Sequence, residues 1–281
     1  MNLVFKPLKF KQKSVIPGFG ITMGFTLLYI TLLILIPISM VFVNSAGIGI
    51  KKFLEIASSE RVLASLRVSF FTSFLAAAVN VVFGLLIAWV LERYMFPGKK
   101  IIDGLIDLPF ALPTAVAGIS LTTLYAQNGW IGRIFAPLGI RISFTPLGIV
   151  VALVFISFPF VVRTVQPVLQ NIDREVEEAA ACLGATRFQT FYKVILPELM
   201  PAMITGFSLA FARALGEYGS VVFISGNMPL KTEITPLLIR AKLEQYDYIG
   251  GTAVAAIMLV VSFVMLLIIN FFEWRASNRH K

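Results

Sequence analysis

NIDREVEEAAACLGATRFQTFYKVILP, residues 171–197, is a polar island in an apolar chain: five of its first eight residues are charged, and apolar runs at 147–165 and 200–224 flank it. Charge at that density does not enter hydrocarbon, whereas the flanking runs are long enough to cross it. The island is therefore expected as a structure outside the bilayer, held between two spans. Asp173 stands where an N-cap belongs, Glu175, Glu177 and Glu178 suit the positive end of a helix dipole, and Gly184 suits a left-handed helix terminus. Thr186 and Gln189 have the spacing of a capping box that starts a second helix, and Pro197 is expected to end it. The reading is a helix-turn-helix elbow. Val176, Ala179, Ala180 and Leu183 on the first arm, and Phe188, Phe191, Tyr192 and Ile195 on the second, fall at i, i+3, i+4, i+7, so each arm has an apolar face that needs a surface to cover it.

Working outward, 58% of the 281 residues are hydrophobic and 14% charged, far from the balance of a soluble domain. The apolar residues lie in blocks near 20–43, 66–90, 106–125, 147–165, 200–224 and 250–272, and about 20 residues at 1.5 Å each match the hydrocarbon thickness. The fold class expected is an all-α integral membrane protein with about six transmembrane helices, the third interrupted by Pro109 and Pro113. Its organisation reads as a basic tail at 1–19, a transmembrane domain at 20–273 carrying the loop 171–197, and a short tail at 274–281. The first run is too long for a secretory signal core and stays as an anchor. With both ends in the cytoplasm, fourteen Lys and Arg residues lie inside against nine outside, the sign expected from the positive-inside rule.

The net charge of +9 sits in short loops and tails rather than on one face, so no nucleic-acid partner is indicated. One cysteine, Cys182, excludes an intrachain disulfide, and one histidine, His280, leaves no metal site. The phosphate-binding pattern G-x-x-x-x-G-K-[ST] is absent, so any ATP is handled by another chain. Stripes of small residues, Ala76, Asn80, Gly84 and Ala88 in the second run and Ala202, Gly206, Ala210 and Ala214 in the fifth, offer smooth faces for helix packing in lipid.

Glu178-Ala179-Ala180, three residues, Gly184, nine residues, then Val194-Ile195-Leu196-Pro197 resembles the EAA loop of ABC importer permeases, departing only at Val194, where the pattern usually has Ile. The resemblance implies a type I importer permease with the loop as the coupling helix that docks on a separate ATPase. It marks Glu178, Ala179, Ala180, Gly184, Val194, Leu196 and Pro197 as coupling-loop residues. Residues 107–132, 157–173 and 210–229 make the chain most similar to the T-type (CysT) subunits of sulfate/thiosulfate ABC permeases. That resemblance implies half of an anion pore, two ATPase subunits that use ATP and Mg, a second permease chain (a W-type subunit or another copy), a periplasmic sulfate-binding protein, and no cofactor on this chain. Molybdate or tungstate is the alternative cargo, because those permeases share the core seen here as Arg213, Gly216, Glu217, Tyr218 and Gly219. The compartment implied is a cell inner membrane, or a plastid envelope for a plastid-encoded chain.

Arg213 and Glu217, at i and i+4 within an apolar run, are expected to pair, since an unpaired charge there is expensive. A structural or gating role is favoured over sulfate coordination, because Glu217 cancels the field of Arg213. Pro113, Thr114 and Gly118 are candidate pore-lining residues, and Arg133, Arg141, Lys231, Arg240 and Lys242 belong to the outer mouth. Two rivals remain. An ion-coupled secondary transporter would show paired broken helices in two halves, and a non-transporting anchor leaves Arg213 and Glu217 without a purpose.

Overall fold

The computed structural model describes residues 18–277, and the tails carrying Lys6, Lys9, Lys11, Lys13, Arg279 and His280 lie outside them. Helix α1 runs Phe19–Ala46 and a short α2 follows at Ile50–Ala57. Next come α3, Glu60–Arg93, and three pieces: α4, Lys99–Ile106, α5, Leu108–Ala111, and α6, Thr114–Tyr125. After α7 at Gly132–Phe135 comes α8, Pro146–Asn171. The elbow contributes α9, Arg174–Cys182, and α10, Arg187–Leu215. The chain closes with α11, Val221–Ile224, α12, Thr235–Glu244, and α13, Tyr248–Ser277.

Five of these are long and apolar enough to cross a membrane: α1, α3, α8, α10 and α13. The expected span at 106–125 is instead broken. Pro109 and Pro113 withhold amide donors, Leu112 before Pro113 is driven to extended geometry, and only the 12 residues of α6 remain as a continuous apolar helix. At about 1.5 Å per residue α6 covers little more than half the hydrocarbon. The expected span at 200–224 is shifted as well. Its helix begins at Arg187, within the elbow, and stops at Leu215.

Pro197 does not end the second arm, as the sequence led one to expect. The helix passes through it by way of a π-helical turn at Phe191–Ile195, in which the Leu196 amide bonds the Phe191 carbonyl five residues back. The widened turn makes room for the following ring. The same device, Thr31–Leu35 with Ile36 N–H on Thr31 O, precedes Pro37 in α1.

Both small-residue stripes converge on α8. A methyl group at Gly84 would come within 2.8 Å of Val161 Cγ1, and one at Gly206 within 3.1 Å of Val161 Cα, so α3 and α10 pack against the same turn of α8. Ala76, Ala88, Ala202, Ala210 and Ala214 are buried with them. In lipid such close backbone approach replaces hydrophobic driving force. Asn80 adds polar glue, its Nδ2 donating to Val154 O at 3.1 Å and Ser157 Oγ at 2.9 Å. At the outer ends, Arg61 forks onto the buried carboxylate of Glu233 at 2.7 and 2.6 Å, tying the start of α3 to the approach to α12.

Asp247 caps α13, its Oδ1 accepting from Gly250 N at 2.8 Å and its Oδ2 from Lys242 Nζ at 2.8 Å. The Lys242 hydrogen bond, and then the Gly250 amide, hold this carboxyl below the usual aspartate range. A depressed folded-state pKa stabilises above the unfolded value of about 3.9 and stops doing so as pH falls through the folded one. Asp247→Asn is therefore expected to melt earlier than the parent at pH 7, the gap closing below about pH 4. Thermal unfolding of the two purified chains across that range checks this.

Candidate functional site

The elbow is built by its own termini. Asp173 occupies the N-cap position of α9 in extended conformation, but its side chain makes no capping bond, so only the placement agrees with the sequence reading. At the far end Gly184 has φ +81. Its N–H bonds Ala181 O and the Ala185 N–H bonds Ala180 O, both at 3.0 Å, which is the paired closure of a helix that ends on a left-handed residue. Two residues later Thr186 Oγ1 accepts from Gln189 N at 3.3 Å and Gln189 Oε1 from Thr186 N at 2.8 Å, completing the expected capping box. The turn is therefore determined by hydrogen bonds on both sides of Ala185.

The apolar faces divide. Ile195 is buried, and Phe191 meets the edge of Trp89 with ring centroids 5.5 Å apart. Leu183 is 89% exposed, Phe188 75% and Tyr192 61%, with the last two rings stacked at 6.2 Å. Glu178 and Ala179 are exposed, Ala180 and Val194 half-buried, and Leu196 and Pro197 lie half-buried in the first turn beyond the π-helical segment. The elbow thus presents a rigid, apolar, uncovered tip with carboxylates on its first arm.

A second group of expected residues comes together 20 residues further on. Arg213 is in the last turn of α10, where the helix dipole favours a cation. Its Nη1 lies 2.6 Å from Glu217 Oε2. The Glu217 side chain is 2% exposed, and its Oε1 accepts from Ser220 N at 2.9 Å and Ser220 Oγ at 3.1 Å. One carboxylate therefore pairs with the guanidinium and satisfies the free amide of the break between α10 and α11. Against this break packs α6. A methyl group at Gly118 would lie 2.5 Å from Ser220 O, and one at Gly219 would collide with Thr114 Oγ1. Gly118 is buried, and the Ser220 backbone fills the space beside it. Thr114 is half-buried at the same contact, and Pro113 is exposed at the N-cap of α6.

Among the outer cations, Arg240 pairs with Glu244 at 2.7 Å, lies over the Tyr218 ring and donates to its hydroxyl, and Lys242 is held by Asp247. Among the described residues Arg141 has no ion-pair partner, and it lines a cavity of about 580 Å³ with Tyr125, Gln127 and Asn128. Sequence reasoning missed the partners of Arg61 and Arg163. Glu233 is 172 residues from Arg61 and left no local signal, whereas Asp103 and Asp107, at i and i+4 just before Pro109, were a readable pair of acids facing one side. Among the described residues no cluster of His, Cys, Asp or Glu is arranged to hold a metal ion.

Comparison with known proteins places these features. Residues 80–278 match the family described as binding-protein-dependent transport system inner membrane component. The chain is 53% identical to the sulfate transport system permease protein CysT of Synechocystis sp. over 88% of its own length and 87% of the relative's. It is 46% identical to the protein of that name from Escherichia coli K12 over 95% and 97%, and 44% identical to the probable sulfate permease of Marchantia polymorpha over 94% and 91%. A bacterial ABC transporter that imports the acidic polysaccharide alginate shares the fold, with a TM-score of 0.73 at 16% identity over 90% of this chain and 94% of that one.

Proposed function

The chain belongs to the binding-protein-dependent transport system inner membrane components, and from that premise we propose that it is the T-type permease subunit of an ATP-driven sulfate importer, forming half of the anion pore. The observation that carries the reading is the elbow: its turn is fixed by hydrogen bonds on both sides, and its apolar tip is uncovered. A flexible loop would absorb a push, whereas this turn transmits it.

In this reading the elbow docks on one of two ATPase subunits. Those subunits use ATP and Mg, and this chain binds neither. Arg213 and Glu217 fasten the break in the fifth span against α6, so that movement of α10 shifts the inner and outer halves of the pore relative to one another. The uncompensated Arg141 at the 580 Å³ outer cavity gives an arriving oxyanion its first cation on this chain. A binding protein delivers the anion, a W-type chain or a second copy completes the pore, and the compartment is the cell inner membrane. An alginate transporter of this fold has been seen in complex with its pentasaccharide-bound periplasmic protein, which supports the same arrangement here.

The test is uptake of labelled sulfate into vesicles holding this chain with its candidate partners, with thiosulfate and molybdate as competitors. Uptake should require ATP and the ATPase chain. Sulfate entry without ATP would overturn the importer in favour of a secondary transporter, and stronger competition by molybdate than by unlabelled sulfate would reassign the cargo.

A further inference from the structure

The last turn of α3 carries Glu92 and Arg93, which the function above leaves unused. Arg93 Nη2 lies 2.7 Å from Glu177 Oε1 on α9 and donates to Ile172 O at 3.2 Å, in the linker that enters α9. Its guanidinium sits 5.8 Å over the ring of Trp89, and Trp89 in turn meets Phe191 on the second arm of the elbow. The Arg93 side chain is only 11% exposed. One residue of the second span thus grips the docking helix, its entrance and, through Trp89, its exit.

Glu92, next to it, accepts from Gln166 Nε2 at 2.8 Å, and Gln166 Oε1 accepts from Arg163 Nη1 at 2.8 Å. Arg163 uses all five of its N–H groups: Nε and Nη2 fork onto Asp107 at 2.8 and 2.6 Å, Nη1 also reaches Asp103 Oδ1 at 2.7 Å, and Nη2 reaches Asp103 O at 2.8 Å. Asp103 is on α4 and Asp107 at the joint to α5, the inner part of the broken third span. The outer part of that span, α6, holds Thr114 and Gly118 against the break at Ser220.

We propose that Glu92 and Arg93 are positioning residues for transport, joining the docking helix to the broken third span through Gln166 and Arg163. This rests on the coupling role given to the elbow. Helix α9 is fastened to α10 by the hydrogen-bonded turn at 183–186, but where it leaves α8 it enters through extended Asp173, whose side chain makes no capping bond, so at that end backbone alone does not fix it to the spans. Arg163 forks onto Asp107 with directional charge-assisted bonds, and Arg93 ties α9 to α3 through its 2.7 Å ion pair with Glu177 and its bond to Ile172 O, so a displacement of α9 becomes one of α3, α8 and α4 together.

The experiment uses the complete transporter in proteoliposomes and measures sulfate taken up per ATP hydrolysed. Arg93→Gln and Arg163→Gln should each keep hydrolysis within about twofold of the parent while that ratio falls about tenfold, the size of a typical coupling between sites. Exchanging the charges, Arg93→Glu with Glu177→Arg, should recover part of the ratio. An unchanged ratio in Arg93→Gln overturns the proposal, and so does a proportional loss of hydrolysis and uptake that the exchange does not relieve. If Arg93→Gln does not assemble, Glu177→Gln on the half-exposed docking helix gives the same reading: a fallen ratio supports the relay and an unchanged one overturns it. Sulfate uptake by the parent without ATP would instead overturn the importer, whatever these variants do.

Discussion

Gly184→Val is expected to lower ATP-driven sulfate uptake by about tenfold or more while the spans stay folded. Gly184 has φ +81, where an L-residue costs roughly 1–2 kcal/mol and a β-branched one is a genuine outlier. About 1.4 kcal/mol is a factor of ten in a docking equilibrium. Among the described residues nothing beyond its chain neighbours lies within 4 Å of an added Cβ at this position, so the penalty falls on the turn and on whatever docks there, not on the core. Valine forces the turn out of its left-handed conformation and opens the bonds from Gly184 and Ala185 to Ala181 and Ala180. Asparagine tolerates that conformation, so Gly184→Asn should retain most uptake. Uptake and co-purification of the ATPase subunit, measured side by side, decide it: full activity in the valine variant would remove the turn from the coupling mechanism.

Glu217→Ala carries the other large effect. It deprives Arg213 of its carboxylate and leaves the Ser220 amide and hydroxyl without their acceptor. Glu217 is buried while Arg213 is about one-third exposed, so the main cost is that of the orphaned buried Ser220 donors, about 1–3 kcal/mol each, with the unpaired guanidinium adding to it. That is a large share of the 5–15 kcal/mol that typically separates folded from unfolded protein. Expected are a lowered thermal midpoint of the purified complex and loss of uptake. The double variant Arg213→Ala/Glu217→Ala leaves no orphan charge and should be more stable than Glu217→Ala alone. A double variant as unstable as the sum of the two singles would show that the groups act independently.

Much of the elbow was legible because its determinants are local. Gly184, Thr186 and Gln189 act within four residues of themselves, and each behaves in the structure as its spacing indicates. The pairing of Arg213 with Glu217 was readable for the same reason. The small-residue stripes identified two packing faces but could not say that α8 receives both, since Val161 announces nothing about its neighbours. Pro197 misled: a proline usually ends a helix, and no sequence rule foretold that a π-helical turn would accommodate it. The close approach of Ser220 to Gly118 was not legible, because the glycine carries no signal of which backbone lies against it. The Arg61 and Glu233 fork, distant in sequence and joined only by tertiary structure, was beyond reading altogether.

The π-helical turn at Phe191–Ile195 fixes a phase as well as accommodating a ring. It holds one residue more than an α-helical turn, and taking that residue away would rotate all of α10 beyond it by about 100° relative to the elbow. Ala202, Gly206 and Ala210 would then leave α8, and the break at 216–220 would leave α6. Chain length between Gly184 and Arg213 is accordingly a matter of alignment: a single insertion or deletion there acts as a turn of the whole pore face against the docking tip, and only a second, compensating change within the same stretch restores both.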